Sequence, residues 1–257
     1  MKAGIPIIIA LIIFGCRSEE TSKVKEIIGD KDFVPIDANG SNLDPSIEKS
    51  IIKSIGRITR DNGDNTVSRC TATHIGDGVV VTAGHCFWAQ SDFTVGGSCE
   101  EFTVEWGLFQ DQKPQMVSSC TEILLARDDD QEHDIAMFTV SPFPTSKISI
   151  ASEVDWSEEL DLMIFAHPKG RPMEVASQCV THDLKFDTLG TIADTLQPMN
   201  RDIRFGHSCD TESGSSGAAV LDRYTGELIG VHSGGNKKGN YGTKFDSVLD
   251  YIERNDL

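Results

Sequence analysis

Short apolar runs separated by polar turns dominate the chain from residue 51 to about residue 244. Examples are GDGVVVTA and HDIAMFTV in the first half, and LDLMIFA and GELIGVHSGG in the second. Gly, Asn and Asp bound most of these runs, which is typical of β-strands joined by turns. The stretch SPFPTSK lies between the two sets. The pattern predicts an all-β domain over residues 51–257 with two halves, residues 51–145 and 146–257.

The end of the chain has a helical period instead. In the segment FDSVLDYIER, apolar residues recur at intervals of three or four, at Phe245, Val248, Leu249 and Ile252. This spacing places them on one face of a helix. We therefore expect one C-terminal helix beside the strands of the second half.

The start of the chain, MKAGIPIIIALIIFGC, has the layout of an export signal. Lys2 precedes an apolar run from Ile5 to Phe14 that is too short to span a bilayer. The run ends in IFGC, which resembles a bacterial lipobox, so we expect residues 1–15 to be a signal peptide and Cys16 to be lipidated. An ordinary signal peptide cut nearby is the alternative. The polar residues 16–50 are expected to be a tether or propeptide.

Composition narrows the function classes. The chain has 257 residues and a formal charge of −17, and no stretch concentrates Lys and Arg, which excludes a nucleic-acid partner. Of the seven cysteines, six remain once Cys16 is set aside. In an exported chain they are expected to form disulfides, with fifteen pairings open. The absence of CxxC pairs argues against zinc, and DDDQEHD lacks the spacing of a calcium loop, so we expect neither metal nor cofactor.

Three motifs carry residues that suit nucleophilic catalysis. They are VVVTAGHC with His85, EHDIAMF with Asp134 and CDTESGSSGAAV with Ser216, in that chain order. A serine hydroxyl needs a base to accept its proton as it attacks, and a carboxylate can orient that base. The order His, Asp, Ser is the order of chymotrypsin-type proteases, whereas other serine hydrolases use other orders.

The motifs TAGHC, HDIAMF and GSSG together resemble those of chymotrypsin-like serine proteases. FAHPKGRPMEV, CDTESGSSGAAV and IGVHSGG are similar to the bacterial branch that includes the glutamyl endopeptidases. The resemblance implies two antiparallel six-stranded β-barrels with the site in the cleft between them. It implies a monomeric, cofactor-free endopeptidase that cleaves its protein or peptide substrates through an acyl-enzyme at Ser216. The backbone N–H groups of Gly214 and Ser216 would then form the oxyanion hole.

The resemblance also implies how the cysteines pair. A bridge between the catalytic histidine turn and the preceding strand would join Cys70 to Cys86. We expect further bridges between Cys179 and Cys209, which bracket the segment leading to Ser216, and between Cys99 and Cys120.

Two interpretations compete for substrate specificity. By resemblance, His232 and Thr211 match the positions at which glutamyl endopeptidases receive an acidic side chain, through charge-assisted hydrogen bonds. Asp210, six residues before Ser216, matches instead the offset of the acid with which trypsin-like enzymes bind Arg or Lys. Acidic specificity is the preferred hypothesis. The histidines at positions 74, 167, 182 and 207 are assigned no chemistry.

Other hypotheses concern function class and activation. A protease fold that binds without catalysis, or a purely structural lipoprotein, would leave the serine unreactive. Ser215 occupies the place where trypsin-like enzymes have an Asp that pairs with a freed N-terminus, so that activation mechanism does not transfer. A cut near residues 49–51 to release the tether is a further expectation. We expect the protein in the cell envelope, as an outer-membrane or surface lipoprotein, or secreted.

Overall fold

The computed structural model describes residues 27, 31–41, 43, 45, 47–87, 95–128, 133–182, 200, 202–236 and 239–254. The predicted signal peptide and Cys16 lie outside the described residues. Within the described ranges, no helix is long and apolar enough to cross a membrane.

The first half of the domain is a closed antiparallel barrel of six strands. These are β2 (Ile55–Asp61), β3 (Val67–Gly76), β4 (Val79–Thr82), β5 (Phe102–Trp106), β6 (Met116–Asp128) and β7 (Asp134–Ser141). The strands close in the order β2-β3-β4-β7-β6-β5. Side chains alternate between the interior and the surface along β5, as the period of two requires.

The second half contains a second antiparallel barrel. Its strands are β8 (Asp161–Ala166), β9 (Glu174–His182), β10 (Arg204–His207), β11 (Ala219–Asp222), β12 (Leu228–Asn236) and β13 (Gly239–Lys244). The order is β9-β10-β13-β12-β11-β8, and a pairing between β8 and β9 closes it. A two-residue strand, β1 (Val34–Pro35), pairs with β9. The predicted two-barrel fold is confirmed.

The core consists of three apolar clusters. One apolar cluster fills the first barrel, around Phe87, Phe102 and Phe138, and a second fills the other barrel. The largest cluster lies between the barrels, where Ile135 and Phe165 belong to opposite halves. This cluster, which we call the seam, fixes the barrels relative to each other. Residues at the edge of the seam are positioned by both halves.

The segment before the first barrel belongs to this inter-barrel cluster. Ile36, Leu43, Ile47 and Ile52 are all buried in it. Residues 16–50 were expected to be a tether or propeptide; the buried Ile36, Leu43 and Ile47 fit a segment packed on the domain rather than a solvated tether. The sequence pattern missed this packing because these residues are spaced irregularly between polar turns.

The C-terminal helix α1 (Phe245–Arg254) follows β13 directly and lies against the inter-barrel cluster. Phe245 and Val248 are buried there and Ile252 contacts its edge. Leu249 is 39% exposed, so the buried face is narrower than the helical spacing predicts. The predicted helix itself is confirmed.

Candidate active site

His85 lies on a turn that the first barrel holds tightly. The buried strand β4 ends at Thr82, and the turn Gly84–Phe87 follows it. A Cβ atom at Gly84 would lie 1.7 Å from the carbonyl oxygen of Arg127, so only glycine permits this close approach to β6. The disulfide between Cys86 and Cys70 ties the turn to β3. The His85 side chain remains one-third exposed, at 34%.

Asp134 begins β7 and contacts His85 at two points. Its Oδ2 lies 2.9 Å from His85 Nδ1, and its Oδ1 accepts a hydrogen bond of 2.8 Å from the His85 backbone N–H. Burial alone would raise the pKa of Asp134, but the hydrogen bonds and charge of His85 hold that pKa below its usual value. The carboxylate is therefore charged at neutral pH and fixes the orientation of the imidazole.

The same pair changes the basicity of the imidazole. Burial lowers the pKa of His85, whereas the hydrogen bond and charge of Asp134 raise it. The net effect is a pKa above the usual 6.5. His85 can thus take up a proton more readily than a free histidine. This is the property that a general base beside a serine requires.

Ser216 lies on a tight loop of the second barrel that contacts the first barrel. Its carbonyl oxygen accepts a hydrogen bond of 2.8 Å from the backbone N–H of Thr71 on β3. The next residue, Gly217, has φ +83°, and a Cβ there would lie 2.0 Å from Thr82 Oγ1. The loop therefore reaches the end of β4 close to the turn with His85. The Cys86 sulfur, next to His85 in the chain, lies 3.9 Å from the Ser216 carbonyl oxygen.

The loop before Ser216 packs against the loop that contains His167, and Thr71 of the first barrel hydrogen-bonds to both loops. Thr71 Oγ1 donates to the carbonyl of Gly214 at 2.9 Å and accepts from the N–H of His167 at 3.0 Å. Gly214 has φ +92°, and a Cβ there would lie 2.9 Å from the His167 carbonyl oxygen. Neither Gly214 nor Ser216 donates its backbone N–H to another described residue. The oxyanion hole at these two N–H groups stays a prediction, with which this arrangement of the described residues is compatible.

The three predicted specificity residues are all buried. Thr211 is fully buried, and its Oγ1 has no hydrogen-bond partner among the described residues. His232 on β12 is 3% exposed, and its backbone contacts the nucleophile segment, because its carbonyl accepts the N–H of Gly217 at 2.8 Å. Asp210 is 1% exposed and its Oδ2 already accepts a hydrogen bond of 2.8 Å from the backbone N–H of Asp32.

No sequence pattern connects His207 with this site. The structure places His207 Nε2 3.1 Å from His232 Nδ1, with both rings buried. Burial and the charge of His85 lower the pKa of His232 to about 3, while the charge of Asp134 opposes them. Burial and His232 likewise lower the pKa of His207 well below 6.5. The contact arises from sheet order, since β10 and β12 flank β13, which no local pattern encodes.

All three expected disulfides are present, joining Cys70 to Cys86, Cys99 to Cys120 and Cys179 to Cys209. The last bridge anchors the segment immediately before Asp210 to β9. No group of three or more His, Cys, Asp or Glu residues in the described part of the chain could hold a metal ion.

Comparison with known proteins relates this chain to the trypsin-like peptidases. The family model of the trypsin-like peptidase domain matches residues 70–231. Among curated proteins, no sequence matches this chain. Solved structures do match, with sequence identities below 20% in the three described next, and such matches show a common fold.

Three of the solved structures are informative. The active form of the Rv3671c protease from M. tuberculosis aligns with TM-score 0.60 and 17% identity, over 88% of this chain and 90% of that one. A Glu endopeptidase in complex with MPD aligns with TM-score 0.60 and 19% identity, over 89% and 99%. The scabies mite inactivated protease paralogue S-I1 aligns with TM-score 0.58 and 18% identity, over 81% and 97%.

Proposed function

The chain belongs to the trypsin-like peptidase family and is a serine endopeptidase, and on that premise we propose that it is an exported enzyme that cleaves after acidic residues, with Ser216 as nucleophile. The observation that carries the catalytic assignment is the two-point contact between Asp134 and His85. Such a contact fixes both the tautomer and the direction of the ring.

The proposed mechanism uses these residues in two steps, acylation and deacylation. Ser216 Oγ attacks the scissile carbonyl carbon while His85 Nε2 accepts the hydroxyl proton. The N–H groups of Gly214 and Ser216 stabilise the oxyanion, and Asp134 stabilises the imidazolium. His85 then gives the proton to the leaving amine, which leaves an acyl group on Ser216. Water, deprotonated by His85, hydrolyses this ester and restores the serine.

The test of the nucleophile is covalent labelling of the purified protein with a fluorophosphonate. We expect the wild type to be labelled and Ser216→Ala not to be. Ser213→Ala is the matched control, because Ser213 is exposed on the same loop and has no assigned role. A folded wild type that does not react would favour the alternative of a protease fold that binds without catalysis.

Two observations support acidic rather than basic specificity. Thr211 Oγ1 is a buried hydroxyl without a partner among the described residues, and His232 is an imidazole whose backbone contacts the nucleophile segment, so each carries a donor suited to a carboxylate. Asp210 is the residue that basic specificity would require. Its Oδ2 already accepts the Asp32 N–H, whereas Thr211 Oγ1 has no hydrogen-bond partner among the described residues.

His207 supports the role of His232. With His207 Nε2 3.1 Å from His232 Nδ1, one ring must donate and the other accept, so the two tautomers are linked. His232 is neutral in the free enzyme, because its pKa is about 3. A carboxylate bound beside it would raise that pKa, and even the neutral ring can donate one N–H to the carboxylate.

A peptide library varied at the residue before the cleaved bond tests specificity. We expect Glu and Asp to be preferred by at least about tenfold, and His232→Ala to abolish that preference. Asp210→Asn is the paired variant and should leave the preference unchanged. A preference for Arg or Lys that disappears in Asp210→Asn would establish the trypsin-like alternative instead.

Export and lipidation of Cys16 complete the proposal. Three disulfides are typical of proteins outside the cytosol, which supports export. Incorporation of a labelled fatty acid into the wild type, and its loss in Cys16→Ser, is the expected result. Release of the wild type from cells without any acyl label would show an ordinary signal peptide. We expect the released domain to be a monomer, which its sedimentation would test.

A further inference from the structure

Residues 31–36, which we call the N-terminal strap, are built into the second barrel. Val34 and Pro35 pair with Val175 and Glu174 of β9. The backbone N–H of Ile36 donates to the carbonyl of Met173 at 3.0 Å. Phe33 is 8% exposed and belongs to the core of the second barrel, and Ile36 is fully buried between the barrels. The strap is thus fixed by strand pairing on one side and by apolar burial on the other.

The strap touches the nucleophile loop, which we define as residues 210–217. The backbone N–H of Asp32 donates to Asp210 Oδ2 at 2.8 Å. Lys31 Nζ lies 3.8 Å from Glu212 Oε2 and 3.7 Å from Glu174 Oε2. Asp210 is 1% exposed, so its carboxylate depends on protein donors in place of water.

Glu212 connects the strap to the residues next to Ser216. Its side chain is bound by Lys169 at 2.6 Å and also by Arg171. Its carbonyl accepts the N–H of Ser215 at 2.8 Å, and its own N–H donates to Ser215 Oγ at 3.2 Å. Ser215 immediately precedes Ser216, so a short series of contacts connects the strap to the nucleophile.

We propose that the N-terminal strap is a positioning element of the protease, in which the Asp32 N–H and the Lys31 ammonium hold the nucleophile loop in its reactive conformation. This inference rests on the proposed role of Ser216. It also bears on processing, since a cut near residues 49–51 that removed the strap would withdraw a donor from buried Asp210. Processing that yields a working enzyme must therefore retain the chain from Lys31 onwards.

The competing explanation is that the strap only covers apolar surface. Both explanations predict that the strap stabilises the fold, but only a positioning role requires the Asp32 N–H in particular. Proline removes that N–H, whereas alanine keeps it and removes the carboxyl group. The pair Asp32→Pro and Asp32→Ala, in the full chain, therefore separates the two explanations.

Two measurements are made on each variant. One is the second-order rate constant of labelling by a fluorophosphonate, which has no side chain for the specificity pocket. The other is hydrogen exchange of the amides of the nucleophile loop, which does not depend on activity. We expect Asp32→Pro to be labelled about tenfold more slowly, the loss typical of one hydrogen bond to a charged group, with faster loop exchange. Asp32→Ala keeps the N–H and removes a like charge beside Asp210, so above pH 7 it should be labelled no more slowly than the wild type and its loop should exchange no faster.

The outcomes are distinguishable. Equal labelling and equal loop exchange in the two variants would overturn the positioning role while the proposed function stands. Faster loop exchange in Asp32→Pro, with a wild type that is never labelled, would support the strap's hold on the loop and overturn the proposed function. If Asp32→Pro does not fold, Asp210→Asn replaces the charged acceptor with a neutral one. Severalfold slower labelling then supports the proposal, and an unchanged rate contradicts it.

Discussion

The two barrels position their catalytic groups in different ways. In the first barrel, His85 and Asp134 bond directly to each other, on a turn and a strand end that the barrel itself fixes. In the second barrel, Ser216 lies on a loop whose partners come from elsewhere, including Thr71 of the first barrel and the N-terminal strap. The proposed base is therefore a local feature of one barrel, while the proposed nucleophile depends on contacts between the two barrels.

The largest expected effect concerns the local pair. Asp134→Asn should lower kcat by about four orders of magnitude, because an amide favours the wrong imidazole tautomer. Steady-state kinetics on the best peptide substrate would measure it. Asp250→Asn is the control, since Asp250 is an exposed carboxylate on helix α1, outside the site. A loss below tenfold in Asp134→Asn would contradict its catalytic role.

The contact between the two barrels at Gly217 can be tested by adding one methyl group. Gly217→Ala should destabilise the protein by about 3 kcal/mol or more, because its Cβ would lie 2.0 Å from Thr82 Oγ1 in a backbone conformation with φ +83°. Urea unfolding would give the free energy.

Gly63→Ala is the matched control for that experiment. Gly63 has φ +78° but no atom within 4 Å of the added Cβ, so we expect only the backbone penalty of about 1 kcal/mol. Equal losses in the two variants would show that the contact at Gly217 yields easily, and that the nucleophile loop is held by other contacts.

These contrasts show what the sequence could predict. The motifs around His85, Asp134 and Ser216 are short and carry their own turn chemistry. The strand pattern predicted an all-β domain in two halves, and the family resemblance implied the two barrels. The strap was expected to be part of a tether because its buried residues, such as Phe33 and Ile36, follow no strand or helix period. His207 was missed because its contact with His232 depends on which strands flank β13. Long-range pairing of this kind leaves no local signal.

A smaller effect is expected where the first barrel supports the nucleophile loop. Thr71→Val keeps the shape of the side chain but removes the hydroxyl that links Gly214 and His167. We expect kcat/KM to fall about tenfold while KM changes little, because the oxyanion donors shift and ground-state binding does not. Thr103→Val, on β5 far from the loop, is the control. A change in KM alone would assign Thr71 to substrate binding.

The smallest expected effect is the pH dependence of stability, and here the two barrels differ in sign. Burial and the Asp210 charge raise the pKa of Asp32 from 3.8 to about 6. The folded protein therefore holds a proton between about pH 4 and 6 that the unfolded chain has lost, so this contribution to stability declines as pH rises through that window. Asp134 has a lowered pKa, so its contribution is present above pH 3.8 and is lost as pH falls further.

Urea unfolding of the wild type and Asp32→Asn at pH 4.5, 5.5, 6.5 and 7.5 would resolve the Asp32 contribution. We expect the stability of the wild type relative to the variant to decrease from the lowest pH to about pH 6.5 and to stay constant above it, because the amide does not titrate. The contribution of Asp134 is already complete across this range and cannot mimic the slope. A constant difference at all four pH values would mean that Asp32 is solvated, and that the strap meets Asp210 through the backbone N–H alone.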